Sequence, residues 1–250
     1  VSDPTAVQFV EMPPRPPSGP ELQRVVLGMG ETRSGDYRLL VTEEYRFLAT
    51  RLPHLTTSRL TTLGIVSAVP GEGKTTVALG LAAALARTSS ERVLLLEADL
   101  RQPGLERYLG LPRLAGVSEW LSGKSTSVPV STISPPGFSV IVAGREHLLH
   151  PELIGSDRMG ALLGACQLSF GYLVVDCPPL APVADAVALQ DMLDGFLLVV
   201  RAGGASRDAI ETAVGRLKPG RIHGIVFNDR TMPAHRYTYG QRPTARGRRR

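Results

Sequence analysis

The chain has 250 residues, is 43% hydrophobic and 20% charged, and carries a net charge of +5. This balance suits one α/β domain with extended ends and excludes collagenous, wholly disordered and membrane-embedded chains. Two cysteines, Cys166 and Cys177, both in apolar surroundings, fit a reducing compartment and exclude a disulfide scaffold.

Residues 1–40 form a proline-rich arm, with six prolines in the first twenty positions, and are expected to be flexible. No basic-then-apolar pattern opens the chain, so no secretory leader is expected. Val41–Leu52 is expected to be helical. Thr42 can cap it, Glu43 and Glu44 suit its first turn, and Tyr45, Leu48 and Leu52 share a face.

From residue 61 strands and helices alternate. Leu63–Val69, Val93–Leu96, Ser139–Val142, Leu173–Val175, Phe196–Val200 and Ile222–Phe227 are short β-rich runs. Thr75–Ala86, His150–Leu168, Val183–Met192 and Ser206–Leu217 have helical patterning. Residues 124–137, rich in Ser, Thr and Pro, are expected to be a loop. Strands that are apolar on both faces, separated by helices, predict an α/β fold. Its central sheet is mostly parallel and covered on both faces. The longest apolar run, Val77–Ala86 counting Gly80, has 10 residues, whereas a spanning helix needs ~20. The folded part is expected over 41–229, followed by a flexible tail over 230–250. That tail holds seven arginines and no acid, which leaves the remainder slightly acidic. The basic character therefore belongs to the tail and does not mark a nucleic-acid-binding fold.

Three segments carry chemistry. The first is Ser67-Ala68-Val69-Pro70-Gly71-Glu72-Gly73-Lys74-Thr75-Thr76, between a strand and a helix. Its glycines let backbone N–H groups turn around phosphate oxygens, and the new helix points its positive end at them. Lys74 would reach the β- and γ-phosphates and Thr75 would ligate Mg²⁺. Only three lysines occur, Lys74, Lys124 and Lys218, so a lysine here is informative. Ala68 stands where the general pattern has its first Gly. The second segment is Leu94-Leu95-Leu96-Glu97-Ala98-Asp99-Leu100-Arg101-Gln102-Pro103. It places two carboxylates, two residues apart, at the ligand-binding edge of a parallel sheet. The third, Leu173-Val174-Val175-Asp176-Cys177-Pro178-Pro179, ends an apolar strand in a carboxylate suited to the Mg²⁺ shell. Cys177, Trp120 and Leu121 are assigned to packing. The histidines His54, His147, His150, His223 and His235 have no metal-ligand spacing with the cysteines.

In this order and spacing the three segments resemble the bacterial tyrosine kinases of capsule and exopolysaccharide systems, members of the P-loop NTPase superfamily. Pro70 to Thr76 resembles their Walker A motif, Glu97 to Pro103 their Walker A′, and Asp176 to Pro179 their Walker B. Gly116–Gly123, Ala143-Gly144, His150–Leu153 and Gly224–Asn228 agree with the same pattern, and the resemblance covers roughly 40–229. It implies an ATP- and Mg²⁺-dependent protein-tyrosine autokinase that regulates polysaccharide synthesis and export. Pro70, Gly71, Glu72, Gly73, Lys74, Thr75 and Thr76 would hold the phosphates, and Asn228 the adenine. Thr75, Asp99 and Asp176 would serve the metal, and Glu97 or Asp99 would accept the tyrosine proton. Tyr237 and Tyr239, in the chain's own or a neighbour's tail, are the candidate phosphoacceptors.

The resemblance also implies a homo-oligomer and a separate membrane activator similar to polysaccharide chain-length regulators. The location implied is cytoplasmic, at the inner face of the plasma membrane, with the arginine tail on anionic lipid or simply solvated. Nucleic acid is not an expected partner. Four positions depart from the pattern. Glu97 replaces an Asp, Ala49 replaces the last Arg of the Glu43/Arg46 oligomer motif, His150 replaces an Asn, and the tail holds two tyrosines rather than a cluster. Two alternatives stand: a nucleotide-dependent regulator of export without kinase activity, and a partitioning-type ATPase switch. The switch class carries a signature lysine five residues before Lys74, where this chain has Val69.

Overall fold

The computed structural model describes residues 8–10, 26–32, 43–55, 60–133, 136–145, 151–181 and 183–228. The tail with Tyr237 and Tyr239, the residues His147 and His150, and most of the N-terminal arm lie outside the described residues.

The elements in chain order are β1 (Gln8–Val10), β2 (Val26–Thr32), α1 (Glu43–Arg51), β3 (Thr62–Ser67), α2 (Lys74–Thr88), β4 (Val93–Glu97), α3 (Leu105–Leu109) and α4 (Val117–Leu121). They continue with β5 (Ser127–Ile133), β6 (Phe138–Ile141), α5 (Asp157–Ser169), β7 (Tyr172–Asp176), α6 (Asp185–Ala188), β8 (Gly195–Arg201), α7 (Arg207–Val214) and β9 (Ile222–Asn228). One sheet runs β1-β2-β5-β6-β4-β7-β3-β8-β9. From β6 to β9 every neighbouring pair is parallel, while β5 runs antiparallel to β6. At the far edge β2 is parallel to β5 and β1 antiparallel to β2.

Alternation along the strands divides the core into two layers. Val66, Leu94, Leu96 and Val175 pack with Trp120, Leu162 and Leu163 on one face. Leu63, Ile65, Leu95 and Val174 pack with α2 and with Leu105 and Leu109 on the other. Strands covered on both sides must be apolar throughout, and β3 and β4 are buried along their whole length. At the other edge β9 leaves Ile225 and Phe227 exposed.

Three expectations need correction. The expected loop at 124–137 contains β5; Val128, Val130 and Ile133 are buried from a stretch whose Ser, Thr and Pro content hid the pattern. The expected helix Val183–Met192 shrinks to the single turn α6. The expected helix His150–Leu168 divides at Ser156, which precedes α5 after a 3₁₀ turn over Pro151–Gly155. Trp120 and Leu121 are core residues, as expected, and they sit on the short helix α4.

Helix α2 owes its central place to small side chains. Ala82, Ala83 and Ala84 are fully buried, and Gly80 lies directly beneath the Tyr45 ring of α1, where a Cβ would run into it. Gly80→Ala is therefore expected to lift α1 off α2, at about 1–3 kcal/mol. Limited trypsin digestion checks this. Cleavage after Arg46 and Arg51 should accelerate while the sheet core still melts in one transition; unchanged cleavage would show that α1 is held by other contacts.

Candidate active site

Strands β4, β7 and β3 are neighbours, and their C-terminal ends are in register, with Glu97 opposite Asp176 and Ile65 opposite Asp176. The ladder continues past the strands, where the Ala98 and Asp99 N–H groups both donate to the Asp176 carbonyl. All three sequence motifs are thereby brought to one edge of the sheet.

After β3 the chain turns through a loop into α2. Gly71 and Gly73 have φ of +80° and +92°, a region that disfavours side chains. Gly73 also lies against Asn228, whose Nδ2 a Cβ would strike. Ala68 is fully buried, and its methyl packs in the core. Glu72 is buried and turns back: its Oε2 accepts from Val69 N at 3.2 Å and its Oε1 from Arg201 N at 3.4 Å. Asn228 Nδ2 donates to the Glu72 carbonyl at 2.9 Å. The tips of β8 and β9 thus hold the loop in shape. Pro70 is exposed on the loop, and Thr76 is half-buried on the first turn of α2.

Lys74 is buried, with Nζ 3.7 Å from Asp99 Oδ2. Thr75 Oγ1 donates to Asp176 Oδ2 at 2.7 Å. Asp99 Oδ1 accepts from Gln102 N at 3.1 Å. Glu97 behaves differently. Its Oε1 accepts from Gly104 N at 2.5 Å and Leu105 N at 2.8 Å, and its Oε2 accepts from Ala143 N at 2.8 Å. Two further residues join the site without having been expected. Asp185 takes Arg101 Nε at 2.7 Å and Nη2 at 3.3 Å, tying the segment after β4 to the one after β7. Glu119 accepts from Gly116 N at 2.7 Å and Arg145 N at 2.8 Å. Glu119 lies within the Gly116–Gly123 stretch that agrees with the family pattern, whereas Asp185 carried no sequence signal.

Glu97, Asp99 and Asp176 are buried near one another, and the Lys74 ammonium acts on the last two. Burial pushes Asp99 above the usual carboxylate range, against the pull of Lys74. Burial also raises Glu97, opposed by its backbone donors. Asp176 is pushed up to about 7, by burial and by its acidic neighbours, with Thr75 and Lys74 pulling the other way. Its Oδ1 is buried and has no hydrogen-bond donor among the described residues. An oxygen donor set of Thr75, Asp99 and Asp176, with an excess of negative charge, fits a small hard cation. Among the described residues no three His, Cys, Asp or Glu form a cage that could hold a metal alone. Cys177 is buried beside Asp176, its thiol pushed well above the usual range by burial, so it acts as packing.

No family model matches the chain. Tyrosine-protein kinase YwqD of Bacillus subtilis is 29% identical over 221 residues, covering 87% of this chain and 91% of that protein. The succinoglycan biosynthesis transport protein ExoP of Rhizobium meliloti is 36% identical over 178 residues, covering 68% of this chain and 22% of that protein. The chain thus spans less than a quarter of that relative's length. The solved kinase domain of the Escherichia coli tyrosine kinase ETK has a TM-score of 0.69 at 31% identity, and the match covers 80% of each chain. The chain belongs to the bacterial tyrosine kinases. Its fold is that of the P-loop NTPases, a nucleotide-binding class, with the mostly parallel sheet expected of it.

In this bacterial tyrosine kinase the buried acids carry a stability signature. The folded Asp176 titrates at about 7 against 3.8 unfolded, so the folded chain holds a proton that the unfolded chain has lost. Stability then falls as pH rises from 3.8 to about 7 and levels off above that. Glu97 and Asp99, also raised, act in the same direction. In metal-free buffer Asp176→Asn is expected to melt a few degrees above wild type at pH 8, with a smaller gap at pH 5. Melting curves at the two pH values check this; an equal or reversed gap would show that Asp176 is not held at such cost.

Proposed function

We propose that this bacterial tyrosine kinase is an ATP- and Mg²⁺-dependent autokinase that regulates polysaccharide synthesis and export. The observation that carries the reading is Lys74, buried at the start of α2 and 3.7 Å from Asp99 Oδ2, beside the Thr75–Asp176 bond. The Gly71–Lys74 amides would hold the β-phosphate, Lys74 the β- and γ-phosphates, and Asn228 would lie toward the adenine. Thr75, Asp99 and Asp176 would hold magnesium, which when bound neutralises phosphate charge and fixes phosphate orientation.

A tyrosine phenol has a pKa of ~10, so transfer near neutral pH needs a base at hydrogen-bond distance. Asp99 suits this role, because burial has raised its basicity and its Oδ2 is turned toward Lys74 at 3.7 Å. As the phenolic oxygen bonds to the γ-phosphorus, the bond to the β–γ bridging oxygen breaks and ADP leaves. The phenolic proton passes to Asp99. Tyr237 and Tyr239 are the acceptors, presented by the same or a neighbouring subunit.

The partner and location follow the same reading: a homo-oligomer recruited to the inner face of the plasma membrane by a separate activator resembling a chain-length regulator. No described helix is long and apolar enough to cross a membrane. Against the partitioning-switch alternative, Val69 supplies no cation at the signature position and packs against the apolar core.

Intact-mass measurement after incubation with Mg·ATP tests the proposal. Phosphate additions mapping to Tyr237 or Tyr239 are expected in wild type and absent in Lys74→Met. Asp99→Asn should lower kcat by ~10²–10⁴-fold, since it removes the base and one of the magnesium-holding oxygens together. ATP turnover without modification of the chain would favour the regulator or switch reading instead.

A further inference from the structure

We propose that Glu97 is a positioning residue and not the proton acceptor: its carboxylate ties the start of α3 and the segment just after β6 to the tip of β4. In doing so it sets where Asp99 stands. Glu97 is 1% exposed. Three backbone N–H groups point at its two oxygens, from Gly104, Leu105 and Ala143. Gly104 and Leu105 stand at the start of α3, where N–H groups lack intrahelical partners, so Glu97 satisfies donors that burial would otherwise orphan. A base must take up a proton. Both Glu97 oxygens already face backbone donors, on two separate elements. Asp99, by contrast, keeps Oδ2 toward Lys74.

The frame that Glu97 holds reaches the reacting groups from two sides. Asp99 follows two residues later, with its own N–H on the Asp176 carbonyl. Gly104 borders Thr75, whose Cγ2 lies 3.9 Å from where a Gly104 Cβ would stand. Ala143 is gripped a second time through its carbonyl, which accepts from Ser118 N at 2.7 Å. The length of a glutamate matters here, since an aspartate would stop about 1.5 Å short of donors that lie on two separate elements.

The kinetic arm of the test rests on the autokinase reading; the exchange arm does not. Glu97→Gln keeps size but offers one acceptor oxygen, so either Ala143 or the Gly104–Leu105 pair faces an NH₂ group. In the full chain without nucleotide, exchange at these amides is expected to quicken by roughly tenfold or more. Phosphorylation kcat per ATP-occupied site should fall about tenfold, with the KM for ATP within about twofold, as expected for displaced groups. Glu97→Asp should fall between the two. A kcat loss of ~10²–10⁴-fold with amide exchange unchanged would make Glu97 the base and overturn the proposal. Faster exchange with unchanged kcat would reduce Glu97 to a structural contact and also overturn it. If Glu97→Gln does not fold, wild-type exchange decides: unprotected amides at Gly104, Leu105 and Ala143 refute the frame. Should no variant, nor wild type, transfer phosphate, the kinase reading fails while the exchange result still judges Glu97.

Discussion

Three neighbouring strands end level with one another, and each delivers a motif to the same small volume. Because β4, β7 and β3 are parallel and in register, Asp99, Asp176 and the loop before α2 meet without any long excursion of the chain. The price is electrostatic. Acids that water would keep ionised are buried beside Lys74, whose pull does not offset the cost of burial, and their pKa values rise accordingly. A site in that condition is poised for positive charge, and Asp176 Oδ1 has no hydrogen-bond donor among the described residues.

Around this centre the loops are held largely by buried glutamates. Glu72 accepts from Val69 and Arg201, Glu97 from Gly104, Leu105 and Ala143, and Glu119 from Gly116 and Arg145. In each case a carboxylate collects amide donors that neither helix nor sheet can satisfy. For Glu119 the backbone donors outweigh burial and keep the carboxyl below its usual range. The Arg101–Asp185 pair closes the same network between the segments following β4 and β7. The ligand-binding edge of the sheet is thus organised by side chains, while the strands below it are organised by backbone pairing.

The strands and the loop before α2 were legible because their signals are local. Leu63, Ile65 and Val66, or Leu94 to Leu96, can only be runs buried on both faces, and Gly71 and Gly73 announce a turn. Strand β5 was hidden because its polar positions, Ser127, Ser131 and Thr132, resemble loop composition; its pairing with β6 is what makes it a strand. Helices α3, α4 and α6 are too short for periodicity to register, and the starts of α3 and α4 depend on distant acceptors. The reading of Glu97 illustrates the same limit. Spacing correctly put it at a strand end, but which of two acids faces Lys74 depends on Gly104, Leu105 and Ala143, which spacing does not weigh. Tyr237 and Tyr239 belong to residues outside the described structure.

The single tryptophan has a practical consequence. Trp120 sits on α4 with its ring under the Arg158 guanidinium, its Nε1 donating to the Arg158 carbonyl at 2.7 Å. Next to it Glu119 grips Arg145, two residues beyond the amide that Glu97 holds. One indole, shielded from solvent, therefore stands beside the loop that borders the reacting groups. Its ultraviolet emission offers a label-free optical gauge of that loop's state, with no second fluorophore of its kind to blur the reading.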